Sequence, residues 1–130
     1  STIMGSGCQS VTRSTSSGTD VLVGTWEGGR IGTFRGIRDG KYGYGGTVFT
    51  TEGISQAGAY DGYEPLVVEI VKFFRSGVSP VPDSETLEIY AFMEAADESK
   101  RRGGATVRLS EVMEKARSAA KTKVAQYRGR

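Results

Sequence analysis

The sequence predicts an α+β domain: an open, mostly antiparallel β-sheet built as a meander of hairpins, with α-helices packed on one face. Three observations predict it. Short runs rich in β-branched and aromatic residues alternate with glycine-containing turns between residues 11 and 58. Two longer segments, after Pro65 and Pro82, carry apolar residues at helical spacing. The strands come first and the helices follow, which separates this chain from the alternating order of a parallel α/β sheet.

Residues 11–15, with Val11, Thr12 and Thr15, read as a polar edge strand, and the turn residues Gly18, Thr19 and Asp20 end it. Residues 21–26 form a β-rich run too short for a helix. Gly28 and Gly29 then supply the positive φ of a two-residue type I′ loop into a strand over residues 30–37. That loop sets Glu27 opposite Arg30, Trp26 opposite Ile31, Thr25 opposite Gly32, Gly24 opposite Thr33 and Val23 opposite Phe34. The two glycines facing threonines leave thin columns, as happens where a helix or another backbone comes close. Residues 47–51 and 54–58 repeat the device around Glu52-Gly53.

Pro65 suits the first position of a helix whose apolar face holds Leu66, Val67, Ile70, Val71, Phe73 and Phe74 and which stops at Gly77. A second helix opens after Pro82, capped by Asp83 or Ser84, and runs to Gly103-Gly104 with acids early and bases late. After an extended stretch at residues 105–108, Ser110 caps a third helix that turns polar and basic toward Arg130. The organisation expected is one domain over residues 1–109 and a basic helix or tail over 110–130.

Composition excludes several functions. No apolar run approaches the ~20 residues that span a bilayer. The chain has no histidine, so the most frequent general base and the commonest metal ligand are both missing. A lone Cys8 forms no internal disulfide and no multi-thiolate metal site, and it suits a reducing compartment. The net charge of +2 is spread along most of the chain. The amino end carries neither an initiator methionine nor a secretory pattern and is expected to be a cut through something longer.

Residues 30–53 hold seven glycines among arginine, lysine and tyrosine, which raises the question of a phosphate-binding loop. A Walker loop needs G-x-x-x-x-G-K-[ST], but Gly40-Lys41 is followed by Tyr42 and preceded at the required distance by Arg35. Gly43-Tyr44-Gly45 leads into a strand rather than the helix a dinucleotide fingerprint requires. These glycines are turns of a sheet. Arg35, Arg38, Lys41, Tyr42 and Tyr44 are nonetheless candidates for holding a phosphate, a carboxylate or single-stranded nucleic acid, against the plainer reading of a solvated loop. Glu94, Asp97 and Glu98 have the spacing of a salt-bridged helix face rather than of a catalytic pair.

Three stretches together carry a family likeness: Asp20-Val-Leu-Val-Gly-Thr-Trp through Gly29-Arg-Ile-Gly-Thr-Phe-Arg-Gly, then Gly62-Tyr-Glu-Pro-Leu-Val-Val-Glu-Ile-Val-Lys-Phe-Phe-Arg-Ser-Gly, then Pro82-Asp-Ser-Glu-Thr-Leu-Glu-Ile-Tyr-Ala-Phe-Met-Glu-Ala-Ala-Asp-Glu-Ser. Over residues 1–113 the chain resembles the carboxyl-terminal domain of the Gfo/Idh/MocA family, NAD(P)-dependent oxidoreductases of sugars, inositols and related polyols. The resemblance implies an α+β domain that shapes a substrate pocket beside a Rossmann domain, whose other sheet face joins subunits. It implies NAD(P) in the whole protein. The glycine-rich nucleotide turn, the Glu-Lys-Pro segment and the catalytic histidine of that family have no counterparts in this chain. No catalytic or metal-binding residue is therefore expected here, and no cofactor in this part alone.

The expected partners are a second copy of the chain, through the sheet, and a Rossmann domain; a binding module for an anionic ligand or nucleic acid is the alternative. The interface candidates are Leu22, Trp26 and Ile31 on one face, where Thr33 also falls, and Val23, with Val21 and Phe34, on the other, since helices built on Leu66, Ile70, Phe73 and Phe74 and on Leu87, Tyr90 and Met93 cover only one side of the sheet.

Overall fold

In the computed structural model of the chain, which describes residues 3–41, 43–57 and 62–128, β1 (Cys8–Thr15) and β2 (Thr19–Trp26) form an antiparallel hairpin. Its turn is closed by Ser16 N–H to Thr19 C=O at 2.8 Å and by the Ser16 hydroxyl, which accepts from Thr19 N–H at 3.1 Å. β3 (Ile31–Ile37) pairs with the outer edge of β2, and the two-residue β6 (Val107–Arg108) pairs with the outer edge of β1. The order is β3-β2-β1-β6. β4 (Gly46–Phe49) and β5 (Ile54–Ala57) make a separate two-stranded sheet, so the second hairpin does not extend the meander as the sequence suggested. Its turn centres on Thr51-Glu52, one residue earlier than expected, because Thr50 and Gly53 exchange backbone bonds and the Thr50 hydroxyl accepts from the Glu52 and Gly53 N–H groups.

The β2–β3 register also differs from expectation. Glu27–Gly29 form a three-residue loop closed by Trp26 N–H to Arg30 C=O at 2.8 Å. Thr25 therefore faces Ile31, Gly24 faces Gly32, Val23 faces Thr33 and Leu22 faces Phe34. The reason lies outside the hairpin. Glu27 N–H donates to Gly7 C=O at 3.0 Å, which fixes the loop backbone, and the Arg30 guanidinium is turned onto the carbonyls of Met4, Ser6 and Glu27 rather than onto the Glu27 carboxylate of the expected cross-strand charge pair. A slip of one residue transfers each β3 side chain to the other face. Phe34 joins Leu22 and Trp26, and Ile31 joins Val21 and Val23.

Gly28 and Gly29 do take positive φ, 74° and 80°, and a side chain added at either would meet nothing within 4 Å. The cost of substitution there is one of backbone conformation alone. We expect Gly29→Val to lose about 1–2 kcal/mol, the penalty of a left-handed non-glycine residue, read as a lowered midpoint of thermal unfolding. An unchanged midpoint would rule out the loop conformation.

α2 (Asp83–Arg101) lies across β1 and β2. Ala91, Ala95 and Ser99, one turn apart, present a smooth stripe that lets the helix approach the sheet closely, and Ala96 widens it. They bury Val11, Leu22 and Val107, and the first turn of α3 (Leu109–Arg128) completes the core with Leu109 and Val112. Ser99 is fully buried and its hydroxyl accepts the Arg13 N–H at 2.9 Å, satisfying the β1 edge beyond the short β6. Gly103 and Gly104 end α2 with φ of 68° and 93°, and Gly104 passes so near Arg13 C=O that a Cβ would stand 3.3 Å from it.

α1 (Glu64–Ser76) begins and ends where the sequence signals it, with Pro65 in its first turn and Gly77 as a left-handed cap. α2 starts at Asp83 with Pro82 in the capping position, so neither Asp83 nor Ser84 caps it through its side chain. Contrary to expectation, α1 covers no part of the sheet: none of its residues is buried, and among the described residues nothing between Gly24 and Ala91 is buried at all.

Candidate functional site

Of the five residues proposed from the sequence to bind an anion, Tyr42 lies outside the described residues and Lys41 is exposed. Tyr44 is exposed in the loop before β4, and Arg35 is exposed on β3, opposite Val21. Arg38 is committed elsewhere. Its guanidinium pairs with Asp20 and donates to the carbonyls of Ser17 (3.1 Å) and Ser16 (2.6 Å). No hydrogen bond or ion pair joins Arg35, Arg38 and Tyr44 to one another among the described residues, and the structure does not assemble them into one anion site.

What Arg38 serves is a buried carboxylate. Asp20, 6% exposed, accepts from Arg13 Nε at 3.1 Å and from the Thr15 hydroxyl at 2.7 Å, while Arg13 Nη2 stands 3.1 Å from its other oxygen. Arg13 also reaches Asp97 of α2 at 2.5 Å. The Arg13 bond, then those of Thr15 and Arg38, hold the Asp20 carboxyl far below the usual carboxylate range. The cluster ties the first hairpin to the end of β3 and to α2. Its donors and acceptors are spent on one another, so it is a structural clamp rather than a reactive centre.

A groove of about 360 Å3 opens between β3 and the first half of α2. Trp26 forms its floor: the indole folds back over the Gly24–Gly32 pair, where a Cβ on Gly24 would lie 2.5 Å from the ring and one on Gly32 3.1 Å from it. The thin columns therefore admit the protein's own tryptophan, with Phe92 of α2 at a ring-centre distance of 6.0 Å. Residues 4–8 strap one end: Trp26 Nε1 donates to Gly5 C=O at 3.2 Å, and Glu88 accepts the N–H groups of Gly7 and Cys8 at 3.0 and 3.1 Å. Met4, Phe34, Ile89 and Met93 line the rest, with Glu85 at the rim. Burial, and secondly the Glu88 charge, push the Cys8 thiol up to about 11, so it is mostly protonated at neutral pH and reacts slowly.

The far face of the four-stranded sheet carries no helix. Val21, Val23, Ile31 and Ile37 lie on it, with Thr12, Thr25 and Thr33 beside them and the exposed Arg35 between Thr33 and Ile37, opposite Val21. Of the interface candidates, Val23, Ile31 and Thr33 lie on this open face, whereas Leu22 is buried under α2 and Trp26 floors the groove. The expectation that Leu22, Trp26 and Ile31 share a face is corrected by the shifted register. Sequence reasoning missed Glu88, Phe92 and Cys8 as neighbours; the only trace of the groove was the glycine pair.

Glu98 is engaged along the helix as the sequence suggested, with Arg101 and Arg102, and Glu94 also reaches Arg101, whereas Asp97 pairs across to Arg13 of β1. Among the described residues no group of three histidine, cysteine or carboxylate side chains is placed to hold a metal ion, and no helix is long and apolar enough to cross a membrane. Comparison of the chain with protein-family models, curated proteins and solved structures finds no match.

Proposed function

We propose that this chain is the substrate-shaping, subunit-joining domain of an NAD(P)-dependent sugar or polyol oxidoreductase, and that it is not catalytic by itself. The observation that carries the reading is the one-sided sheet. One face is packed by α2 and α3, while the other presents Val21, Val23, Ile31 and Ile37 to solvent among hydroxyl-bearing side chains, with Arg35 at one end. Such a face suits a second sheet of the same kind, packed with its open face against this one. The likeness of residues 1–113 to the Gfo/Idh/MocA carboxyl-terminal domain supports the same assignment. With no histidine and no loop of the form that cradles a pyrophosphate, the chain has neither the base nor the nucleotide turn of the complete enzyme. Catalysis and NAD(P) then belong to a Rossmann domain that this one would flank.

Sedimentation at several concentrations tests the reading. The chain is expected to form a defined dimer or tetramer, which Thr33→Arg dissociates by placing a charge beside Val23 at the centre of the open face. Thr33 is exposed, so the substitution should leave monomer stability within about 0.5 kcal/mol. A strictly monomeric wild type, or association indifferent to Thr33→Arg, would sink the proposed interface. Calorimetric titration with millimolar NAD(H) or NADP(H) is expected to show no saturable heat; saturation would refute the non-catalytic assignment.

A further inference from the structure

The geometry points to the groove between β3 and α2 as the seat of α1, which folds back over it as an antiparallel neighbour of α2 and closes over Cys8 and Trp26. The inference stands apart from the proposed function. Leu66, Ile70, Phe73 and Phe74, three and four residues apart, form one stripe of α1, and each is more than a third exposed. The groove supplies the matching surface. Phe34 and Met93 are 58% and 49% exposed along it.

The tether selects this occupant over others. Residues 77–82 separate the two helices, six residues that reach at most roughly 20 Å. Connections of about 2–8 residues are those that join helices packed side by side. The groove begins at Glu85, within the first turn of α2, so the last turn of α1 lies within reach of it. Charges agree as well: Arg75 sits in that last turn, and Glu85 and Glu88 stand at the groove. An attached helix meets the groove at an effective concentration that a free partner does not match.

The single tryptophan and the single cysteine of the chain both line the groove, which makes its closure measurable in the full chain. Ile70→Glu is expected to move Trp26 emission to longer wavelength and to raise the rate of Cys8 alkylation severalfold, with the unfolding midpoint of the α2–sheet core little changed. Unaltered emission and alkylation would overturn the inference. In the second arm, Ile70→Cys treated with a bifunctional maleimide is expected to link residue 70 to Cys8 within one chain. Links formed only between chains would place α1 in a neighbour's groove, and the absence of any link would leave the seat empty; either result refutes closure within the chain.

Discussion

Gly24→Val is expected to remove about 2–3 kcal/mol of stability or more, the range for overfilling a packed interior, and to lower the midpoint of thermal unfolding by several degrees. A Cβ on Gly24 would stand 2.5 and 2.8 Å from two atoms of the Trp26 ring and 3.0 Å from Phe92. These are rigid rings. The indole is held by its bond to Gly5 C=O, and Phe92 rides on the helix whose Ala91 and Ala95 are locked against the sheet, so neither can yield by turning a flexible end. Displacing the indole also opens the strap of residues 4–8, which rests on it and on Glu88. Gly45→Ala is the control, because a Cβ there meets nothing within 4 Å and the backbone is not left-handed; its change should stay within about 0.5 kcal/mol. Equal midpoints for Gly24→Val and Gly45→Ala would show that Trp26 does not occupy the glycine pair.

Asp20→Asn is expected to destabilise the protein strongly at neutral pH and much less in acid. The amide keeps the shape of the carboxylate but removes the charge opposite Arg13, whose side chain is only 14% exposed. Losing that charge leaves Arg13 with Asp97 as its remaining counter-ion and Arg38 with the carbonyls of Ser16 and Ser17. The pH dependence follows from the direction of the shift. The folded carboxyl ionises far below its unfolded value of about 3.9, so its contribution is present above that value and is lost as pH falls from about 5 toward the folded value. Wild type should therefore lose stability steeply in that window, and Asp20→Asn should show a shallower fall from a lower plateau. A residual slope remains. Glu98, held down first by Arg101 and then by Arg102, and Glu111, held down by Arg102, titrate in the same direction. Parallel midpoint-against-pH curves for the two proteins would contradict the clamp.

The candidate site was legible in part. Val23, Ile31 and Thr33 could be named from β-branched character in short runs, a local property, but that all three share the open face follows only from the observed register. Arg38 could be named only as a basic loop residue, since nothing near it signals Asp20, eighteen positions earlier, as its counter-ion. Ile31 was grouped with Leu22 and Trp26, and Phe34 with Val21 and Val23, because the expected loop length came from the glycines alone. The pull of Gly7 on Glu27, and of Met4 and Ser6 on Arg30, arises from a segment some twenty residues away.

By itself the sequence determined which segments form strands and which form helices. Period-two and period-3.6 patterns are written within a few residues, Gly28, Gly29, Gly77, Gly103 and Gly104 take the left-handed conformations that favour glycine, and the order of strands before helices settled the α+β class. Only the tertiary structure decided how they meet. The β2–β3 register, the pairing of Val107 with Val11, the seating of Trp26 over Gly24 and Gly32, and the bond from Arg13 to Ser99 across 86 positions each join residues far apart in the chain. Local pattern sets what a segment can become; shape and hydrogen-bond satisfaction between distant segments select its partner.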